Sequence, residues 1–169
     1  MKALLIVNPS SGGEQAQEYE QLAEEKLREA FSEVVVKHTE KEGDATRFAS
    51  EAAADFDSIF AMGGDGTVNE AVNGLAPHDK RPNFGFFPLG TVNDLARALA
   101  IPLDPKEAIE SFAVDHTRKI DIGQVNQDYF TNVVAIGMIP AAINNVEVEE
   151  KTKLGKMAYF VWSAGSAEK

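Results

Sequence analysis

A glycine-rich turn that carries one carboxylate is the strongest chemical signal in this sequence. It is Gly63–Thr67, with Asp65 at its centre, and it lies between an apolar segment and a predicted helix. Glycines let a phosphate approach the backbone closely, and the free N–H groups at a helix start attract anions. Asp65 would repel that phosphate unless a cation lay between them. The turn therefore predicts a site for a nucleotide with Mg²⁺, which proteins usually hold through one or two carboxylates and phosphate oxygens.

Two more polar turns follow apolar segments and add to this signal. Asn8–Gly13 offers backbone N–H groups and two serine hydroxyls to phosphate or ribose, but it has neither the Walker lysine nor the dinucleotide glycine spacing. Pro88–Arg97 contains Asn93 and Asp94, a second pair of amide and carboxylate. Thr39 follows another apolar segment. These residue types fit a polar ligand that carries phosphate.

Each of these features also has a purely structural interpretation. Asp65 or Thr67 could cap a helix, and Thr91 with Asp94 could form a pair like a capping box. Asp121 lies within an apolar alternation, and an aspartate in a strand is more often exposed at an edge than catalytic. The residues alone leave both interpretations open.

Composition narrows the class of protein. The 169 residues include 16 Lys and Arg against 27 Asp and Glu, and a formal net charge of −11 argues against binding to nucleic acid. The absence of cysteine excludes thiol catalysis and zinc–thiolate sites. The longest apolar run, Val133–Ile143, is too short for a membrane-spanning helix, and Ala3–Val7 is too short for a signal peptide core. These features predict a cytoplasmic protein.

The elements that must position the polar turns alternate between strand and helix. Apolar segments that end at polar or glycine residues predict strands, and apolar residues at helical spacing predict the helices between them. The predicted strands are Ala3–Val7, Val34–Val36, Ser58–Met62 and Phe84–Phe87. The predicted helices are an apolar face from Tyr19 to Phe31, a stretch from Asp44 to Phe56, and Thr67–Leu75, Thr91–Leu99 and Pro105–Phe112.

This alternation predicts an α/β fold with a parallel sheet that helices cover on both faces. The carboxyl ends of parallel strands meet at one edge of the sheet, and ligands bind beyond that edge in such folds. We therefore expect the three polar turns and Thr39 to lie close together.

The pattern changes after about residue 116. Lys119–Val125 and Tyr129–Ile136 are strand-like and are separated by a hairpin signal, and Leu154–Ala164 has a helical pattern. Two or three strands and a helix cannot enclose a core of their own. The sequence thus predicts an α/β domain over residues 1–116 and the incomplete start of a β-rich domain over residues 117–169.

Three motifs taken together resemble the diacylglycerol kinase catalytic domain, and soluble bacterial lipid kinases most of all. They are Val7-Asn8-Pro9 with Ser11-Gly12, Gly63–Thr67 followed by Asn69-Glu70, and Pro88-Leu89-Gly90-Thr91 with Asn93-Asp94. The glycine-rich turn alone also matches NAD kinases and phosphofructokinases, whereas Leu89–Arg97 favours the lipid kinases. The likeness extends over nearly the whole chain, including Ile120–Gly123 and Phe130–Asn132.

The resemblance implies ATP and Mg²⁺ as cofactors and gives roles to individual residues. The predicted catalytic and metal-site residues are Asp65, Asp94 and Asp121, in a network of aspartates, water and Mg²⁺ near the phosphates. The predicted ATP-binding residues are Asn8, Pro9, Ser10, Ser11, Gly12, Thr39, Gly63, Gly64, Asp65, Gly66, Thr67, Val68, Asn69 and Thr91.

The reaction that the resemblance implies is transfer of the γ-phosphoryl group of ATP to a lipid hydroxyl. Diacylglycerol is the expected substrate, which implies a role in phospholipid biosynthesis, peripheral contact with a membrane and a homodimer as the assembly to consider. Family members continue further and supply a carboxylate general base, and nothing after Ile143 matches them, so we expect only a nucleotide-binding portion, inactive by itself. The alternatives are a phosphotransferase like the NAD kinases and a non-catalytic nucleotide-binding module.

Overall fold

Strands and helices alternate along the chain in the predicted order. The computed structural model describes residues 1–13 and 16–131. The strands of the main sheet are β1 Lys2–Val7, β2 Glu33–His38, β3 Ser58–Gly63 and β4 Asn83–Pro88. The helices are α1 Ala16–Arg28, α2 Asp44–Ala52, α3 Asp65–Leu75, α4 Asp94–Ala98 and α5 Pro105–Glu110. A hairpin of β5 Gly123–Val125 and β6 Asp128–Phe130 follows. All described residues belong to one unit, Met1–Asn132.

The main sheet is parallel throughout and has the strand order β2-β1-β3-β4. The chain winds from β1 outward to β2, then crosses back over β1 to β3, so the direction of winding reverses between β1 and β3. Such a switch point opens a crevice beyond the carboxyl ends of the two strands. The predicted α/β class with a parallel sheet is confirmed, and the polar turns follow strands that all end at one edge.

Helices bury both faces of the sheet. Leu4 and Ile6 pack on the face that α2 and α3 cover, whereas Leu5 lies on the opposite face with Leu27 of α1 and Ile109 of α5. A strand that is buried on both faces has apolar residues at every position rather than at alternate ones. This explains the uninterrupted apolar run of β1.

A close contact with α2 fixes the position of α3, the helix that follows the glycine-rich turn. A Cβ on Gly74 would overlap the carbonyl oxygen of Thr46 and would lie 2.9 Å from Ala49 Cβ. The Thr46 hydroxyl donates to the Glu70 carbonyl oxygen at 2.9 Å, and the Ala45 N–H donates to Glu70 Oε2 at 3.2 Å. These contacts hold α3 directly against α2 and so fix where the helix after the glycine-rich turn lies.

Several predicted boundaries are wrong. The helix predicted over Thr91–Leu99 begins only at Asp94, because the preceding residues form a turn, and the helix predicted to reach Phe56 ends at Ala52. The strand predicted over Lys119–Val125 is reduced to its last three residues.

The predicted hairpin is confirmed, with its turn at Asn126 and Gln127. Its second strand begins at Asp128, and the predicted continuation to Ile136 lies outside the described residues from residue 132 onward. The predicted helix Leu154–Ala164 also lies outside them. The predicted boundary between two domains at residue 116 stays a prediction.

Candidate functional site

Hydrogen bonds that continue the ladder of the sheet hold the polar turns side by side. The Asn8 N–H donates to the carbonyl oxygen of Met62 at 2.9 Å, and the Leu89 N–H donates to that of Gly63 at 2.8 Å. The first residue after β1 is therefore still paired with β3, and the first residue after β4 is paired with the end of β3. The three predicted turns begin at the same edge of the sheet.

The side chain of Asn8 joins the first turn to the start of α3. Its Nδ2 donates to Thr67 Oγ1 at 3.2 Å, and its Oδ1 accepts bonds from the N–H and the hydroxyl of Ser10 at 3.0 and 2.7 Å. Thr67 is buried, and a Cβ on Gly63 would lie only 2.5 Å from Thr67 Oγ1. Glycine at position 63 lets the end of β3 pass close to this threonine.

The first turn needs glycine for its backbone conformation. Gly12 and Gly13 have φ of 87° and 61°, in the left-handed region that side chains disfavour. Gly12 also lies over Leu89, whose Cδ1 would be 3.3 Å from a Cβ at this position. Pro9 and Ser10 are exposed at the tip of the turn. The first turn therefore depends on glycine both for its left-handed backbone and for its close approach to Leu89.

Two glycines bring the second and third turns into direct backbone contact. A Cβ on Gly90 would lie 2.6 Å from Gly64 Cα, and a Cβ on Gly64 would lie 3.3 Å from Gly90 Cα. Gly64 is extended, with φ −88°, so this contact rather than a left-handed conformation favours glycine there. Asp65 Oδ1 accepts the N–H of Asp94 at 2.8 Å. The two predicted carboxylate residues are therefore adjacent.

Asn93 is the buried centre of the third turn. Its Oδ1 accepts the Gly90 N–H at 2.9 Å, its Nδ2 donates to the Gly90 carbonyl oxygen at 2.7 Å, and its backbone is left-handed with φ 54°. Asn93 is also the N-cap position of α4, so the suggested capping box of Thr91 and Asp94 is wrong. Thr91 is exposed on the turn instead.

The suggestion that Asp65 or Thr67 caps α3 is also wrong, because Gly64 occupies the N-cap position and Asp65 is the first helical residue. Gly66 and Asn69 are exposed on α3. Val68 is different, since its side chain is buried against the sheet and its N–H bonds to the Gly64 carbonyl oxygen at 3.1 Å. A ligand beside the start of α3 can therefore reach Gly66 and Asn69 but not the side chain of Val68.

A cavity of about 190 Å³ opens between the end of β1, the loop after β2 and α3. Its lining includes Asn8, Thr39, Thr67 and Glu70. Thr39 is held there because its N–H donates to the carbonyl oxygen of Val7 at 2.9 Å. The structure thus brings Thr39 to the same cavity as Asn8 and Thr67.

Asp44 shapes the loop that forms the rim of this cavity and does not cap α2. Gly43, with φ 85°, is the N-cap of α2, and the Asp44 carboxylate instead accepts the N–H groups of Glu40 and Lys41 at 3.0 and 3.1 Å. The bond from Arg47 at 2.9 Å and the Glu40 N–H lower the pKa of Asp44 from 3.8 to about 2, although burial acts the other way. In the sequence, the only signal for this role of Asp44 is its position directly after Gly43 and at the start of a predicted helix.

Asp121 lies apart from the strand predicted for it. It is exposed in the irregular segment before β5. Within residues 1–13 and 16–131, no group of three or more His, Asp or Glu side chains is close enough together to hold a metal ion. Asp65 and Asp94 adjoin, whereas the place of Asp121 in the same network stays a prediction.

Comparison with known proteins identifies the family. The family model of the diacylglycerol kinase catalytic domain matches residues 2–125, which include all three turns. The chain belongs to the diacylglycerol kinase catalytic domain family. The resemblance seen in the sequence motifs is thereby confirmed.

Relatives in this family support the assignment. A diacylglycerol kinase of Bacillus subtilis is 44% identical over 162 residues, which cover 95% of this chain and 54% of the relative. One of Staphylococcus haemolyticus is 42% identical over 160 residues, which cover 94% and 48%. The crystal structure of a diacylglycerol kinase from Bacillus anthracis str. Sterne matches with a TM-score of 0.76 at 36% identity over 95% of this chain and 53% of that one. The chain thus spans about half the length of these diacylglycerol kinases.

The described part of this diacylglycerol kinase family member contains no helix that is both long enough and apolar enough to span a bilayer.

Proposed function

We propose that this chain binds ATP with Mg²⁺ at the carboxyl edge of its sheet, and that the whole protein transfers the γ-phosphoryl group to a lipid hydroxyl, with diacylglycerol as the substrate. The observation that carries this proposal is the junction of two turns, where Gly64 contacts Gly90 and Asp65 accepts the N–H of Asp94 at 2.8 Å. The names of the relatives support the reaction class and the lipid substrate.

The residues at the edge fit a nucleotide with a bound cation. The Val68 N–H makes the first bond at this end of α3, to Gly64 at 3.1 Å, so the N–H groups of residues 65–67 have no partner within the helix. These groups and the helix dipole favour phosphate oxygens. Asp65 lies exposed beside them and would share a cation with the phosphates.

Mg²⁺ would neutralise the charge of the phosphates, which is the main requirement of phosphoryl transfer besides alignment of the reactants. Asp65 and Asp94 are the residues that would hold it, with Asp121 as the third member of the proposed network. Asn8 and Thr39 would orient the nucleoside part, because they line the adjacent cavity.

The finer points of the function belong to the same proposal. We place the protein in the cytoplasm with peripheral contact to a membrane, since a diacylglycerol substrate resides in one. A role in phospholipid biosynthesis follows from phosphorylation of that lipid, and a homodimer is the assembly to test. We expect the general base in the part of the relatives that this chain does not cover. Such a base raises the rate of a transfer of this kind by about 10²- to 10⁴-fold.

Radiolabelled ATP tests the proposal against its alternatives. The protein is incubated with Mg²⁺ and, separately, with short-chain diacylglycerol, a sphingoid base and a polyprenol in mixed micelles, and with NAD in buffer. Label in diacylglycerol supports the proposal, and label in NAD supports an NAD kinase-like enzyme. The chain of 169 residues is compared with one extended to the length of its relatives. Nucleotide binding with no transfer by either chain would favour a non-catalytic module.

A further inference from the structure

Asn73, near the end of α3, makes a two-point hydrogen bond with the main chain of the hairpin. Its Nδ2 donates to the Tyr129 carbonyl oxygen at 2.8 Å, and its Oδ1 accepts the Tyr129 N–H at 2.8 Å. The same Nδ2 donates to the Asn69 carbonyl oxygen at 2.9 Å, one helical turn back. Both kinds of group on the amide are thus used, and the donor and acceptor pattern fixes its orientation.

The side chain of Asn73 takes the place that a third strand would have beside the hairpin. Tyr129 pairs with Gln124 across the hairpin, and in antiparallel strands neighbouring residues direct their peptide groups to opposite sides. The peptide groups of Tyr129 point away from β5 and toward α3, where Asn73 satisfies both. A hairpin of two strands is marginally stable by itself in water, so its attachment to α3 matters.

This contact joins the helix that carries one predicted metal-site residue to the hairpin that follows the segment with another. Asp65 is the first residue of α3, and Asn73 lies two turns further, about 12 Å along the helix axis. On the other side, the hairpin begins at Gly123, directly after the segment that contains Asp121. The amide of Asn73 is therefore the link, through described hydrogen bonds, between the helix of one aspartate and the hairpin next to the other.

We propose that Asn73 is a positioning residue, which holds the hairpin on α3 and thereby sets Asp121 relative to Asp65 for binding of Mg²⁺ with ATP. This inference rests on the proposed function. Asn73 itself does not contact ATP or Mg²⁺. Its loss should lower only the part of the ATP affinity that depends on Mg²⁺.

Two substitutions and one control separate this role from a general loss of structure. Asn73→Leu has similar size and removes every bond of the amide. Asn73→Asp keeps the acceptor for the Tyr129 N–H but loses the bonds donated to the carbonyl oxygens of Tyr129 and Asn69. Gln124→Ala is the control, because it removes an exposed hairpin side chain and its 3.1 Å bond to the Asn126 carbonyl oxygen.

The measurements are hydrogen exchange at the Tyr129 amide and calorimetric titration with ATP in the presence and absence of Mg²⁺. In Asn73→Leu we expect faster exchange at Tyr129 and an ATP affinity with Mg²⁺ that is about tenfold lower, the lower end of the effect seen for residues that orient metal ligands. Affinity without Mg²⁺ should be unchanged. Asn73→Asp, whose carboxylate is ionised at pH 8 and cannot donate, should change both quantities in the same direction at that pH. Gln124→Ala should match the wild type throughout.

The outcomes distinguish this proposal from the proposed function. If Asn73→Leu speeds exchange at Tyr129 but keeps the full effect of Mg²⁺ on ATP affinity, the positioning role is wrong and the nucleotide site stands. If Tyr129 stays protected in that variant, other contacts hold the hairpin and the proposal is also wrong. If the wild type binds no ATP, both proposals fall. Should Asn73→Leu not fold, Asn73→Asp at pH 8 decides, and an unchanged effect of Mg²⁺ on its ATP affinity contradicts the proposal.

Discussion

Alanine at Gly66 separates the proposed ligand role of the glycine-rich turn from its structural role. A Cβ at this position would meet no atom within 4 Å among the described residues. Gly66 is the second residue of α3, and alanine is favoured over glycine inside a helix by about 1 kcal/mol. The free energy of unfolding of Gly66→Ala should therefore stay the same or rise by up to about 1 kcal/mol.

Binding should change in the opposite direction, because the open space beside Gly66 is where the proposal places phosphate. Displacing a phosphate oxygen from one backbone N–H removes a charge-assisted hydrogen bond, which is worth about 1.5 to 3 kcal/mol. That loss corresponds to a Kd for ATP with Mg²⁺ that is about 10- to 150-fold higher. The same change at Gly64 is less informative, since its Cβ would also press on Gly90 Cα at 3.3 Å.

The assay pairs urea unfolding with calorimetric titration of ATP in the presence of Mg²⁺. A Gly66→Ala protein with wild-type stability and a wild-type Kd would refute the phosphate role of this turn. A protein that lost both stability and binding would show instead that the space beside Gly66 is needed for folding.

Three further substitutions test the supporting structure. Gly74→Ala puts a Cβ against the backbone of α2 and should lower the free energy of unfolding by about 1 to 3 kcal/mol while the Kd for ATP, measured on the folded protein, stays unchanged; equal stability would contradict the close helix contact. Asn93→Ala leaves both peptide groups of Gly90 without their partner and should destabilise by about 1 to 3 kcal/mol in urea unfolding, which a neutral result would contradict. Asp44 has a pKa lowered from 3.8 to about 2, so its stabilisation is fully present above pH 3.8 and is lost as the pH falls toward 2. Asp44→Asn should therefore flatten the fall in unfolding free energy over that range, and an unaltered acid profile would show that this carboxylate is not responsible.

The order and type of the main elements could be predicted from the sequence because each has a strong local signal. The apolar run of β1 and the helical spacing after it do not depend on distant residues. The convergence of the turns followed from parallel strands alone, and the hydrogen bonds of Asn8 and Leu89 to β3 agree with it.

Other parts of the site depend on contacts between distant residues, which a single sequence does not contain. The sequence explains glycine at position 64 by the approach of a phosphate, but it does not show that a Cβ there would also meet Gly90 in another turn. Asp94 was expected to cap its own helix together with Thr91, but its N–H bonds to Asp65 from a different element. The role of Asn73 cannot be predicted from the sequence, because its partner is the main chain of Tyr129, 56 residues away.

The backbone amides of the chain, labelled with nitrogen-15 and titrated with ATP in the presence of Mg²⁺, test the location of the nucleotide site most directly. The account predicts the largest chemical shift changes at residues 8–12, Thr39 and residues 63–69, all at the carboxyl edge of the sheet. The amide chemical shifts of residues at the opposite edge, such as Lys2 and Asn83, should stay unchanged. Changes concentrated at that opposite edge, or no changes at saturating ATP in a folded protein, would contradict it.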